Sequence, residues 1–292
     1  MASLGPSFPS EWRVPLRQWA NALVDRLVDD YSGAFGGVSS ALLYLLGGLE
    51  RALLAVPWWL VTVALALLVW NATRRPLAGV LVAAGLVLVG TFGLWAEMVT
   101  TLALMALATV MCVLVGVPLG VLMSRSAAFK AVLRPLLDLM QTLPSFVYLV
   151  PVVMFFGLGN VSALFATFVY AVPPVIRLTD LGLRSVERSL VEAAETSGAN
   201  ELQVLRYVRL PLALPTLAAG VNQTIMLALS MVVLTSMIGA RGLGQVVLRG
   251  LQRGDVGLGL EAGLAIVLLA VVMDRVTAGY VRRAGDGAAE RG

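Results

Sequence analysis

Apolar positions in this chain run in long blocks instead of alternating with polar ones. Met98 to Ser124, Leu139 to Ile176 and Leu210 to Ala240 contain no Asp, Glu, Lys or Arg, whereas a helix that crosses a bilayer needs only about 20 apolar residues. The pattern predicts bilayer helices over Pro57–Trp70, Leu77–Trp95, Met98–Ser124, Leu136–Gly157, Val161–Ile176, Leu212–Ile238 and Leu258–Val276, seven in all. Ser39–Val56 is also rich in leucine, but Glu50 and Arg51 fall together in mid-run and Gly47-Gly48 weakens a helix there. Burying two charges would be costly, so an interfacial amphipathic helix is expected instead. The reading is an all-α polytopic membrane protein: a tail with its amphipathic helix over 1–56, two peripheral helices over 57–95, a core over 96–283 and a short tail over 284–292.

The polar residues between the blocks give an orientation. Arg74-Arg75, the group Arg125, Lys130 and Arg134, the stretch from Arg177 to Arg209, and Arg282-Arg283 make every second loop basic. Loops rich in Lys and Arg stay in the cytoplasm, which places the N-terminus outside and the C-terminus inside. The loop 240–257 runs against this order, because it should be external yet holds Arg241, Arg249 and Arg253.

Composition narrows the chemistry. Hydrophobic residues make up 59% of the chain and charged residues 13%, against roughly a quarter charged in soluble domains. There is no His, and Cys112 is the single Cys, which excludes His-dependent acid/base work, Cys/His metal sites and intrachain disulfides. The phosphate-cradling GxxxxGK[ST] loop is absent, since the sole lysine is Lys130 in Ala-Phe-Lys-Ala-Val, so ATP hydrolysis by that route is excluded. The net charge of +4 is spread singly between apolar runs, a topology signal and not a nucleic-acid patch. The first thirty residues scatter acids and arginines with no basic start, apolar stretch and cleavage site, so no cleavable signal peptide is expected.

The stretch from Arg177 to Arg209 carries the strongest motif. Ser189-Leu-Val-Glu192 reads as a capping box, Gly198 as the left-handed residue that ends a helix, and Asn200-Glu-Leu-Gln203 as a second box opening a helix to Arg209, before Pro211. The result is a helical hairpin whose surface mixes Glu192, Glu195, Glu201, Arg206 and Arg209 with Leu190, Val191, Leu202 and Leu205. By spacing alone this is either a docking surface or an ordinary capped loop helix. The wording goes further. Glu192-Ala193-Ala194, three residues, Gly198, nine residues, Val208, one residue and Leu210-Pro211 resembles the EAA-x3-G-x9-I-x-LP loop of permease subunits in binding-protein-dependent ABC importers, with Val208 replacing Ile.

Arg134-Pro-Leu-Leu-Asp-Leu-Met-Gln-Thr-Leu-Pro144, Phe146-Val-Tyr-Leu-Val-Pro151, Leu210 to Pro215, Asn222 to Met231 and the turn Gly239-Ala-Arg-Gly-Leu-Gly244 look like the glycine betaine, proline betaine and choline permeases. The first fifty residues match poorly. The resemblance implies a type I importer permease of the bacterial inner membrane, without nucleotide of its own. Its partners would be two cytoplasmic ATPase subunits carrying ATP and Mg, a second permease copy and an extracytoplasmic binding protein. Glu192, Ala193, Ala194 and Gly198, with Leu210-Pro211, would form the coupling helix that enters the ATPase, and the cargo would be a quaternary ammonium osmolyte.

Within the membrane the same resemblance singles out Gln141, Thr142, Pro144, Phe146, Tyr148, Asn222, Gln223, Ser230 and Met231 as candidates for the path. Each has a plainer reading. Pro144 and Pro151 free backbone carbonyls and permit a bend, yet proline kinks also serve packing. Phe146 and Tyr148 offer aromatic faces worth about 0.5–2 kcal/mol to a passing cation, yet aromatics in spans mostly pack. Asn222, Gln223 and Thr224 need partners, and hydrogen bonds between helices are their default; methionines such as Met231 are often filler. Asp138 is expected to pair with Arg134 four residues away, and Glu261 and Asp274 to reach water near the ends of the last span. The rivals are an ABC permease for another small solute, an ion-coupled secondary carrier, which needs ionisable groups at mid-membrane that the charge-free runs lack, a membrane-embedded hydrolase with a Ser-Lys or paired-carboxylate site, and a scaffold that transports nothing.

Overall fold

The computed structural model describes residues 15–289. The first 14 residues of the N-terminal tail, the last three of the C-terminal tail and the side chains of Arg282 and Arg283 lie outside the described part. Among the described residues every regular element is helical. Five helices are long and apolar enough to cross a membrane, a bent pair makes a sixth, and two shorter apolar helices accompany them.

Helix α1 (Leu16–Ala55) has non-helical backbone at Tyr31. Phe35 rests on Phe155 and Phe156, and Leu46, Leu49 and Leu53 pack with Ala103, Leu104, Ala163 and Ala240. These contacts all fall on one end of the bundle. Glu50 is half-buried there and accepts a hydrogen bond from the Thr100 hydroxyl at 2.6 Å, while the exposed Arg51 donates to the Gly47 carbonyl. The charge pair expected to keep Ser39–Val56 at an interface is thus satisfied within the fold, one residue by tertiary contact and one locally. By length and composition Asn21–Ala55 also passes as a crossing helix.

Helices α2 (Trp58–Thr73) and α3 (Pro76–Thr91) form an antiparallel pair. Arg74 takes φ 55° to close the turn, its N–H bonding to the Trp70 carbonyl, and Pro76 starts α3 at a position where a missing donor costs nothing. Helix α4 (Trp95–Arg125) is the long apolar run read from Met98. Ser126 then caps α5 (Ala127–Thr142) by accepting from the Phe129 N–H.

The fourth expected span is not one rod. Leu143 is extended, as the residue before a proline prefers, and Pro144 leads into a 3₁₀ turn over Ser145–Tyr148 and the short α6 (Leu149–Phe156). The two halves meet at 111°. Helices α7 (Asn160–Ala171) and α8 (Pro173–Arg184) follow nearly in line, so the chain stays helical and largely buried beyond Ile176, where a loop was expected.

After α9 (Arg188–Thr196) and α10 (Glu201–Gln203), a π-helical segment over Val204–Arg209 runs without interruption into α11 (Leu210–Ser236). The second hairpin helix therefore does not stop at Arg209. Pro211 sits in the first turn of α11, and the Leu210 N–H reaches back five residues to the Leu205 carbonyl. The Gly239–Gly244 turn leads to α12 (Leu243–Arg253), which lies against α11 and α13 (Val256–Ala289). Arg249 and Arg253 belong to this short helix, where Arg249 bonds Gln245, whereas Arg241 lies in the turn before it.

Helix α8 sits between α4 and α11, with which it shares its most extensive contacts. A Cβ added at Gly120 of α4 would fall 2.5 Å from the Thr179 Cβ and 2.7 Å from the Ile176 carbonyl oxygen. One at Gly220 of α11 would fall 3.0 Å from the Leu178 Cβ. Small residues let membrane helices approach this closely, where lipid supplies no hydrophobic drive of its own. Gly120→Val is expected to cost about 1–3 kcal/mol by overpacking and to lower the thermal midpoint of the detergent-purified protein, whereas Gly47→Ala, mid-helix with open space around it, should not lower the midpoint and should raise it slightly.

Candidate functional site

The hairpin between α8 and α11 is closed by local backbone chemistry. Gly198 has φ +87°, a conformation that costs other residues about 1–2 kcal/mol. Its N–H bonds the Glu195 carbonyl and the Ala199 N–H bonds the Ala194 carbonyl, at 2.9 and 3.0 Å, the paired pattern that terminates a helix on a left-handed residue. Asn200 then caps the next helix in a full capping box with Gln203, as expected. The box expected at Ser189 does not form. Glu187 occupies the N-cap position, the Ser189 hydroxyl donates to the Glu187 carboxylate at 2.7 Å, and Glu192 pairs with Arg188 at 2.7 Å. Glu187 takes the hydroxyl that the box needed.

Val191 and Val204 are buried and hold the hairpin to the bundle, with Leu205 and Leu210 packed on the cluster of Leu183, Ala213 and Leu217. The outer surface keeps apolar groups in the open: Leu190, Leu202 at 66% exposure and Tyr207 at 69%, the last beneath the Arg206 guanidinium. Glu192 and Ala193 are exposed and Ala194 half-buried. A cleft lined by Ser124, Arg125, Glu195, Glu201 and Arg209 separates the hairpin from the end of α4.

A charge cluster that the sequence reading missed anchors this end. Asp180 of α8, its side chain only 8% exposed, receives Lys130 of α5 and Arg184 at 2.6 Å each, and Arg184 also donates to the Met123 carbonyl of α4. The signal was the Asp180/Arg184 spacing of four. Arg177 pairs with Asp138 at 2.5 Å, which corrects the expected Arg134 partner: the partner lies 39 positions along the chain, and the local one was the only one visible in sequence.

The membrane candidates divide. Gln141, Thr142, Pro144 and Phe146 on the broken segment, and Gln223 and Ser230 on α11, are exposed. Thr142 and Ser230 return hydroxyl bonds to Leu139 and Leu227 carbonyls. Tyr148 is buried, its hydroxyl donating to the Met140 carbonyl across the bend and its ring edge-on to Tyr170. Met231 is fully buried with Leu149, Val152 and Ala166. Asn222 donates to Asp274 of α13 at 3.3 Å and accepts from Thr277, and Thr224 donates to the Ala171 carbonyl. The plainer packing reading therefore describes Tyr148, Met231, Asn222 and Thr224. Asp274, expected to reach water, is half-buried and also accepts from Asn222 of α11.

Residues 113–285 match the family described as Binding-protein-dependent transport system inner membrane component. The chain belongs to this family. The permease is 45% identical over 90% of its length to the glycine betaine/proline betaine transport system permease protein ProW of Escherichia coli (strain K12), covering 74% of that protein. It is 40% identical over 91% to the glycine betaine transport system permease protein OpuAB of Bacillus subtilis (strain 168), covering 94%. With the glycine betaine/carnitine transport permease protein GbuB of Listeria monocytogenes (serotype 1/2a, strain 10403S) it shares 39% over 96%, covering 99%. Its fold is similar to a chain of the inward-facing MetNI methionine ABC transporter, TM-score 0.58 at 24% identity over 65% of the permease and 95% of that chain.

The buried and exposed ion pairs of this permease differ in consequence. Asp180 is buried, but its partners Lys130 and Arg184 keep 29% and 42% exposure and can rehydrate, so its loss costs less than the about 3–5 kcal/mol of a fully buried pair and more than the about 0–1 kcal/mol of an exposed one. Asp180→Asn is therefore expected to lower the thermal midpoint substantially and Asp138→Asn, 56% exposed, to leave it nearly unchanged, as measured by thermal unfolding of the two purified variants side by side.

Proposed function

We propose that the permease works as the multi-pass membrane subunit of a binding-protein-dependent ABC importer, as its family indicates, and that its cargo is a quaternary ammonium osmolyte: glycine betaine, proline betaine or choline. The observation that carries this reading is the 45% identity to a glycine betaine/proline betaine permease over nine-tenths of the chain. Two ATPase subunits holding ATP and Mg dock on the hairpins of two permease copies, and an extracytoplasmic binding protein delivers the solute. The hairpin and basic loops face the cytoplasm, with the C-terminus inside and the N-terminus outside. Glu192, Ala193, Ala194 and the turn at Gly198, with Leu210-Pro211 at the root of α11, form the coupling element; the exposed Leu190, Leu202 and Tyr207 supply apolar contact to the ATPase.

The geometry supports a direct transmission. The hairpin joins α8 to α11, and Asp180 ties α8 to α5 through Lys130, so a pull on the hairpin reaches both the helix bearing Gln223 and Ser230 and the broken segment bearing Gln141, Thr142, Pro144 and Phe146. These exposed groups line the path between two copies. Phe146, 51% exposed, offers its ring face to the cation, worth about 0.5–2 kcal/mol, enough to guide a solute without trapping it. The acids on α5, α8 and the end of α13 near α11 are engaged, Asp180 by two cations, Asp138 by Arg177 and Asp274 by Asn222, which disfavours an ion-coupled carrier.

The test is ATP-dependent uptake of labelled glycine betaine and choline into vesicles holding the permease with its ATPase and binding protein, with and without Gly198→Asp. Uptake of either solute is expected, and the variant should lose it at least tenfold while the assembled complex persists. Uptake of neither solute, with ATPase still bound and stimulated by another loaded receptor, overturns the cargo assignment alone. No ATPase association overturns the coupling role of the hairpin.

A further inference from the structure

A cleft of about 520 Å³ opens between α3 and α13, floored by α2. Its walls include Leu77 and Leu81 of α3 and Leu268 and Val271 of α13, and the cleft also holds Arg75 and Arg275. Both arginines lie at one end of it. Arg75 immediately precedes α3, and Arg275 stands one turn from Gly279, whose close approach to Ala72 brings α13 against the last turn of α2. Away from that end the cleft closes where Gly85 meets the Leu268 side chain.

Neither arginine has an ion-pair partner among the described residues. Residues 57–91, which form α2 and α3, contain no Asp or Glu. The acid beside Arg275 in sequence, Asp274, bonds Asn222 of α11. Leu77 and Leu81 are exposed, as are Val80 and Val267 beside the cleft, so the surface around it is one that hydrocarbon covers. A groove with apolar walls and two unpaired cations at one end matches a molecule with acyl chains below an anionic head.

We propose that this cleft is a binding site for an anionic phospholipid, with the headgroup phosphate on Arg75 and Arg275 and an acyl chain along Leu77, Leu81, Leu268 and Val271. The site is separate from the hairpin and from the polar face of α11, and its occupancy by lipid does not depend on which solute the permease carries. Under the orientation proposed above it draws its lipid from the cytoplasmic leaflet; the chemistry of the site does not depend on that leaflet.

The test places the complete transporter in lipid nanodiscs containing photoactivatable phosphatidylglycerol or photoactivatable phosphatidylcholine with identical acyl chains, and maps labelled peptides by mass spectrometry. Phosphatidylglycerol is expected to label peptides spanning 76–82 and 268–275 at least fivefold more than phosphatidylcholine, since each basic side chain near the surface is worth about that factor. Arg75→Gln with Arg275→Gln should abolish the preference, Arg75→Lys with Arg275→Lys should retain it, and Arg249→Gln on α12 should leave it intact. Equal labelling by both lipids in the unmodified protein overturns the proposal, and this arm stands even if a variant fails to assemble. Labelling that appears only in the isolated subunit, or that soluble glycerol phosphate displaces, also overturns it, the first by showing the cleft is a protein interface and the second by showing a free-phosphate site.

Discussion

The close insertion of α8 between α4 and α11 is the constraint on which the other features rest. Gly120 and Gly220 remove the side chains that would hold the three helices apart, and in a bilayer such contact has to come from packing and from polar groups with partners. Asp180 supplies the polar part. Set at the last turns of α8, it accepts from Lys130 and Arg184, and Arg184 in turn holds the α4 backbone at Met123. Without the glycines α8 would stand too far from α4 for that bond. The hairpin leaves the bundle four residues beyond Arg184, so its position is set by how tightly α8 is held.

A soft segment lies on the far side of the same clasp. Lys130 belongs to α5, which breaks at Pro144 and turns through 111° before α6. Tyr148 bridges the break by bonding the Met140 carbonyl left free near it, and the ring of Tyr170 steadies it from α7. The clasp and the bend thus sit on one helix, α5. In the proposed coupling, a pull on the hairpin would reach α5 through α8 and Asp180, beside the bend where the exposed Gln141, Thr142 and Phe146 lie.

Much of this was legible in the residues. Charge-free runs gave the helical membrane fold, and the spacing from Glu192 to Pro211 gave the hairpin, because Gly198 and the Asn200–Gln203 box act within a few residues and leave a local trace. The failures share the opposite property. Asp138 found Arg177 on another helix and Ser189 was diverted by Glu187; each was decided by competition among partners that spacing does not rank. Pro144 marked where a bend was permitted but not its 111° angle, because Leu139 to Ile176 reads as one uncharged run and hydropathy measures how apolar a segment is without measuring its direction. The partner of Glu50 was hidden for a related reason, since Thr100 lies on α4.

The π-helical segment over Val204–Arg209 has a mechanical meaning of its own. A π turn stores a surplus residue, and that surplus can migrate along a helix by exchanging one hydrogen-bond register for the next. Since each residue of an α-helix advances the face by about 100°, moving the surplus past a position swivels that position while both ends of the helix stay where they are. Pro211, which has no N–H to contribute, stands just beyond the segment and acts as a stop on that travel. The root of α11 is in this sense a swivel joint: the hairpin can keep its grip on its neighbour while the polar face of the long helix is turned.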